Sequence, residues 1–174
     1  MESMVEELLN NVRIRPICFE VASLNKTIEC VFQIADIQNR IAANDHKQSV
    51  FKLDLPDEPI IIPHDSSEIE GVILNLILNA KANIEDGNGR IEIRLSKETN
   101  AENSVALIEV TDNGRGIPPE SLSKIFTPFY TTCKDGTGLG LAAVQRIVEA
   151  HNGSCEVFSE VGRGTSFQIR LPIR

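Results

Sequence analysis

Gly136, Gly138 and Gly140 stand at alternate positions at the head of "GTGLGLAAVQRIVEAHNG" (136–153), and Leu141, Val144, Ile147 and Val148 then recur at helical spacing. Asn152 and Gly153 stop that helix in the manner of a C-cap, so the glycines directly precede its N-terminus. Unpaired backbone N–H groups and the positive end of the helix dipole attract an anion there, and residues without Cβ let a phosphate come close. A plain flexible turn into a helix would use the same residues. Asn75 and Asn79 lie one helical turn apart and share a face of an otherwise apolar segment. Carboxamide oxygens are hard ligands that suit Mg²⁺, an ion that keeps several waters and bridges substrate phosphates. Two Asn satisfying each other or a neighbouring backbone is the alternative. Asp112 closes an apolar run in "VTDNGRGI" (110–117). A carboxylate at a strand end could accept a hydrogen bond from an exocyclic amine, with the glycines leaving room for a flat base. Taken alone, "DNG" also suits an ordinary hairpin turn.

"GLGLAA" (138–143) fits G-x-G-x-x-A, and Glu160 follows about twenty residues on, which imitates a dinucleotide fingerprint. That motif needs a buried strand feeding its first glycine, whereas "FTPFYTTCKD" (126–135) carries Pro128 and several polar residues and reads as loop. A Walker phosphate loop ending in G-K-[ST] is absent. Cys18, Cys30, Cys133 and Cys155 form no C-x-x-C pair and have no His at metal spacing, so they read as reduced thiols rather than a zinc or dithiol site.

The elements that must hold these groups follow from periodicity. Helices are expected over 23–42, 66–83 and 139–151, the second opened by a capping box from Ser67 to Glu70 and striped by Ile69, Val72, Ile73, Leu76, Ile77 and Ala80. "FKLDL" alternates, and a short "III" is closed by Pro63. "RIEIRL" and "SVALIEVT" predict an antiparallel pair, as do "SCEVFS" and "TSFQIRLPI" around the glycine turn "EVGRGT". Between them, about twenty residues after "DNGRGI" have three prolines and little periodicity, the mark of a functional loop. Three helices and five or so strands in mostly hairpin order give an α+β sandwich with the helices on one face. "MESMVEELLNNVR" reads as a short amphipathic helix ended at Arg15–Pro16.

Composition sets bounds on partners. Among 174 residues, 41% are hydrophobic and 24% charged, an ordinary globular mixture; aromatics are 5% with no Trp, so aliphatic side chains must build the core. A formal charge of −8 without a Lys/Arg cluster disfavours nucleic acid, and no apolar run is long enough to span a bilayer.

Together these residues resemble the catalytic and ATP-binding domain of sensor histidine kinases, in the superfamily shared with gyrase, the ninety-kilodalton heat-shock chaperones and the mismatch-repair ATPases. The resemblance runs from about Ser23 to the end. It rests on five boxes in family order: "NLILNA" (75–80), "DNGRGI" (112–117), "FTPF" (126–129), "GTGLGL" (136–141) and "GRGTSF" (162–167).

The resemblance implies a Bergerat-type two-layer α+β sandwich, a mixed and mostly antiparallel sheet packed on three helices with a mobile ATP lid over about 117–136. By the same likeness Asn79 coordinates Mg²⁺ with Asn75 in support, and Asp112 binds the adenine amino group. Gly114, Gly116 and Thr165 shape the base pocket, with Ile117 beside them at the start of the lid. Phe126 and Phe129 anchor the lid. Gly136 closes the lid, and Thr137, Gly138, Leu139 and Gly140 offer N–H groups to the phosphates. Lys134 either reaches the β- or γ-phosphate or is solvated, and Asn83 either reaches the nucleotide or ends its helix. ATPases of the superfamily that hydrolyse for conformational work carry a Glu at the position of Asn75, as general base for water; the Asn favours transfer over hydrolysis. His46, His64 and His151 do not match the family's acceptor motif, and His151 stands where a cation would suit a helix C-terminus.

The implied function is a Mg·ATP-dependent protein histidine kinase domain, with the acceptor His on a separate dimerisation hairpin and a response-regulator receiver downstream. Residues 16–174 would be the kinase domain and 1–15 the stub of that hairpin, in a cytoplasmic position, with neither nucleic acid nor membrane contacted by this chain. A non-catalytic nucleotide-sensing module of the same fold is the alternative, and a dinucleotide oxidoreductase rests on "GLGLAA" alone.

Overall fold

A computed structural model of the chain describes residues 16–41, 49–84, 88–99, 103–133 and 136–173. The helical stub expected over 1–15, His46 and Lys134 lie outside them. In chain order the elements are β1 (Glu20–Ser23), α1 (Leu24–Ile41), β2 (Val50–Asp54), β3 (Ile61–His64), α2 (Ser66–Asn83), β4 (Arg90–Thr99) and β5 (Ser104–Asp112). A single turn α3 (Pro119–Leu122), α4 (Gly140–Ala150), β6 (Ser154–Glu160) and β7 (Gly164–Ile173) follow.

Strands β2-β4-β5-β7-β6 make a five-stranded sheet, antiparallel throughout except that β2 pairs with β4 in parallel. Strands β1 and β3 form a separate antiparallel pair. The three long helices fall within one or two residues of expectation. Two corrections concern β1, which no periodicity announced, and Pro63, which sits inside β3 opposite Val21 instead of closing it. Proline is tolerated there because a two-stranded ribbon leaves its unbonded side open.

Alternation on the strands sends one face inward. Ile91, Ile93, Ile108, Val110, Phe167 and Ile169 meet the buried stripe of α2, namely Ile69, Val72, Ile73, Leu76, Ile77 and Ala80. At about 25 cal/mol per Å² of apolar surface removed from water, this aliphatic layer supplies the main driving force. The outer face is held by cross-strand polar pairs, including Lys52–Glu92 at 2.8 Å, Arg94–Asp54 at 3.0 Å, Gln168–Glu109 at 3.0 Å and Thr111–Ser166 at 2.9 Å.

Helix α2 begins two residues earlier than a Ser67 capping box requires. Its N-cap is Asp65, whose Oδ1 accepts from Glu68 N–H at 3.2 Å and from Ser67 Oγ at 2.7 Å, while Oδ2 accepts from Cys18 N–H at 2.9 Å. Ser67 therefore serves the cap instead of being it. Burial pushes the Asp65 carboxyl up, and the hydrogen bonds it receives outweigh this and hold it below the usual carboxylate range.

Candidate nucleotide site

With Ile73, Leu76, Ile77 and Ala80 of α2 turned to the sheet, Asn75 and Asn79 face the other way, one turn apart. They do not bond each other. Asn83 Nδ2 donates to the Asn79 carbonyl at 2.8 Å and lies 3.5 Å from Asn79 Oδ1. Asn75 instead lies against the first residue of α4: a Cβ on Gly140 would sit 3.1 Å from Asn75 Oδ1. Both carboxamides border the same cavity, of about 660 Å³.

Asp112 ends β5 opposite Thr165 of β7 and is 5% exposed. Burial drives its carboxyl above the ordinary range, opposed by the N–H groups of Gly114 and Thr165, the former at 2.8 Å from Oδ1. The glycine box is a requirement of space. A Cβ on Gly114 would lie 2.5 Å from the Asn83 carbonyl oxygen, and Gly116, at φ +72°, would overlap the Glu160 carbonyl. The chain therefore threads between the end of α2 and the β6–β7 turn. Ser159 fastens this passage: its Oγ accepts from Ile117 N–H at 2.8 Å and lies 2.9 Å from Thr165 Oγ1.

On the opposite wall, Leu139 is the N-cap of α4 and offers no capping side chain, so the first-turn N–H groups have no side-chain acceptor. Gly138 has φ +70° and fits under the Phe129 backbone, and its carbonyl accepts from Phe129 N–H at 2.9 Å. Phe126 anchors the lid as expected, packing on the core with its ring centroid 6.4 Å from Phe167. Phe129 does not: it is 66% exposed with φ +67°. Tyr130 takes that role, half-buried with its hydroxyl donating to Ser121 Oγ at 2.9 Å. Proline at 128 and the tight Gly138 approach turn Phe129 outward and the next ring inward.

Of the residues singled out from sequence, Asn75, Asn79, Asn83, Gly116, Ile117 and the run from Gly136 to Gly140 line the cavity. Asp112, Gly114 and Thr165 are not among its lining residues and connect to it through Arg115, Gly116 and Ile117 by the chain and the bonds above. The structure adds Arg115, which carries the one formal charge among the described lining residues. Its Nε donates to Asn83 Oδ1 at 2.9 Å, and its guanidinium lies 3.5 Å from Thr132 Oγ1 and 3.9 Å from Cys133 Sγ. Cys133 thus has a basic neighbour that sequence alone did not place beside it. His151 is a second correction: Nδ1–H donates to the Ile147 carbonyl at 2.8 Å and Nε2 accepts Asp65 N–H at 3.1 Å, so the ring bonds as a neutral imidazole rather than as a cap cation. His64 is fully buried, with Nδ1 on the Ile62 carbonyl and Nε2 beside Thr27 Oγ1, which fits a structural role.

The ATPase family described as histidine kinase-, DNA gyrase B- and HSP90-like matches residues 64–174, from the end of β3 through β7. The chain belongs to this family. Over 180 residues it is 36% identical to the sensor histidine kinase ZraS of Escherichia coli K12, across 99% of this chain and 35% of that protein. Sporulation kinase C of Bacillus subtilis 168 is 33% identical across all of this chain and 39% of its own length. Among solved structures, the catalytic domain of histidine kinase ThkA superposes with a TM-score of 0.75 at 28% identity, over 90% of this chain and 96% of that one. Full-length ShkA in complex with AMPPNP gives 0.79 at 23% identity, over 98% of this chain and 35% of that one, a likeness of fold. The chain spans little more than a third of the length of the curated relatives it matches. The family confirms the ATP-binding α+β fold of histidine kinase type. No helix among the described residues is long and apolar enough to cross a membrane.

Proposed function

We propose that this chain binds Mg²⁺·ATP between α2 and the N-terminus of α4 and presents its γ-phosphate to a histidine on a separate helical hairpin. Facing walls support this reading: two carboxamides at Asn75 and Asn79 oppose an uncapped helix N-terminus across one cavity. The donor set fits Mg²⁺, since two hard oxygens on one helix face leave room for waters and phosphate oxygens. Asn79, supported by Asn75, would hold the ion, which would neutralise charge on the phosphates.

The chain's own residues bind and orient. Asp112 accepts from the adenine amine, the backbone N–H groups of Thr137 to Gly140 at the head of α4 donate to phosphate oxygens, and Lys134 adds a cation. The unprotonated ring nitrogen of the acceptor imidazole attacks the γ-phosphorus as the bond to the bridging β-phosphate oxygen breaks; ADP leaves, and the proton on the other ring nitrogen passes to solvent. Asn at position 75 supplies no base to activate water, which protects the phosphoryl group for transfer. In this reading residues 16–174 are the kinase unit, 1–15 end the hairpin, the location is cytoplasmic, and a response-regulator aspartate receives the phosphoryl group next.

Calorimetry with an ATP analogue, with and without Mg²⁺, followed by phosphotransfer to the parent's hairpin supplied in trans, tests the proposal. Mg²⁺-dependent binding with transfer supports the kinase. Normal binding with no transfer supports a nucleotide-sensing module instead.

A further inference from the structure

The phosphate gap lies between Asn75 on α2 and Gly140 at the start of α4. The same two helices meet again at their other ends. Asp65, the N-cap of α2, gives its backbone N–H to Nε2 of His151, the C-cap of α4, at 3.1 Å, and His151 Nδ1–H returns to the Ile147 carbonyl of its own helix at 2.8 Å. The helices are thus antiparallel, hydrogen-bonded at this joint and close to each other again at Asn75 and Gly140. At 1.5 Å per residue Asp65 to Asn75 spans about 15 Å and Gly140 to His151 about 16.5 Å, so the struts are nearly matched in length.

The distal pin uses an unusual acceptor. The N–H of a helix N-cap is commonly received by a Glu or Gln three residues on, which here is Glu68. In this chain a ring from another helix receives it instead, in a buried setting where His151 is 4% exposed. The lead-in segment covers the joint: the Phe19 ring lies 5.0 Å from the His151 ring, and Cys18 N–H binds Asp65 Oδ2 at 2.9 Å.

We propose that His151 is a positioning residue for the nucleotide phosphates: by tying the far ends of α2 and α4 it fixes the separation of Asn75 and Gly140. This deepens the nucleotide reading and rests on it. Asp112 sits on the sheet, outside the two struts, so the joint bears on phosphates and leaves the base site alone. Phe19 and Cys18 make the lead-in segment a third member of the joint.

His151→Asn tests this in the full chain, because Asn keeps a donor for the Ile147 carbonyl and suits a helix end, yet cannot reach Asp65 N–H. Affinities for Mg²⁺·AMPPNP and for adenosine are measured side by side by calorimetry. The expected result is about a tenfold loss for the triphosphate with adenosine unchanged, and recovery to within about twofold in His151→Gln, whose longer amide restores the acceptor. Equal loss for both ligands, or a lowered melting temperature with the ratio intact, overturns the proposal in favour of a merely structural histidine. Should His151→Asn not fold, Phe19→Ala carries the test: a smaller loss confined to the triphosphate supports the joint, and an unchanged ratio overturns it. Failure of the nucleotide reading has a different signature, a folded wild type that binds neither ligand, and it removes this proposal too.

Discussion

Arg115 and Asn83 are joined twice: Arg115 backbone N–H donates to the Asn83 carbonyl at 2.9 Å, and its guanidinium Nε donates to Asn83 Oδ1 at the same distance. The first bond fixes where the chain leaves β5, and the second aims the guanidinium at Thr132 and Cys133 in the lid. One arginine therefore links the end of α2, the glycine turn after β5 and residues 132–133.

Arg115→Ala is expected to loosen the lid without unfolding the sheet. The side chain is exposed, so its bonds are worth about 1 kcal/mol, or a several-fold faster release of a bound nucleotide. Arg115→Lys should not restore the wild-type rate, since an ammonium lacks the forked donors that span two partners. Stopped-flow release of a fluorescent ATP analogue measures both.

Asp112→Asn should separate stability from binding. The folded carboxyl is raised by burial, so its contribution to stability is fully present below about 3.8 and is lost as pH rises through the folded value. At neutral pH the ionised group costs stability, and the Asn variant should melt higher than wild type. It should also bind adenine nucleotides at least about a hundredfold more weakly, having lost a charge-assisted acceptor. Binding by wild type should weaken in turn as pH falls through that raised value. Scanning calorimetry with and without nucleotide, repeated across pH, reads all three effects.

Asp65 has the opposite sign. Its folded carboxyl is depressed, so its contribution is present above about 3.8 and lost as pH falls through the folded value. Asp65→Ala is expected to cost about 1 kcal/mol at neutral pH through the lost cap. Urea midpoints measured into the acid range should fall less steeply for Asp65→Asn than for wild type.

Two glycines predict opposite outcomes. Gly71 lies inside α2 with nothing within 4 Å of an added Cβ, so Gly71→Ala should stabilise by about 0.5–1 kcal/mol. Gly164 has φ +121°, and its Cβ would overlap the Asp112 carbonyl. Gly164→Ala should destabilise by at least about 2 kcal/mol and disturb the base pocket with it. Thermal melts of the two variants suffice.

Local signals carried most of the fold. The stripe of α2, the glycines before α4 and the alternation in β5, β6 and β7 each lie within a dozen residues, and the sequence reads them within a residue or two; β4 runs four residues past "RIEIRL", to Thr99, because Ser96–Thr99 find partners on β5. What it missed depends on distant partners. Strand β1 exists because β3 pairs with it, and Arg115 becomes a linker only because Asn83 lies beside it, across 32 positions. The tautomer of His151 is set by Asp65, 86 positions away. Choosing Asp65 over Ser67 as the cap required knowing that Cys18 also comes to that carboxylate. Phe129 and Tyr130 were adjacent rings, and only the packing of Gly138 decided which one turned inward.

The lone parallel pairing, β2 on β4, has a consequence for how the chain assembles in time. Strands β4 with β5 and β6 with β7 zip as hairpins, each closing a short loop, while β5 meets β7 across 55 positions, at Thr111 and Ser166. Strand β2 meets its partner across 40 positions, at Lys52 and Glu92, and only after β3 and α2 have crossed over between them. It is therefore expected to dock only after the β4–β5 hairpin has formed, leaving the open edge of β4 as an adhesive surface until Val50–Asp54 arrives to cover it.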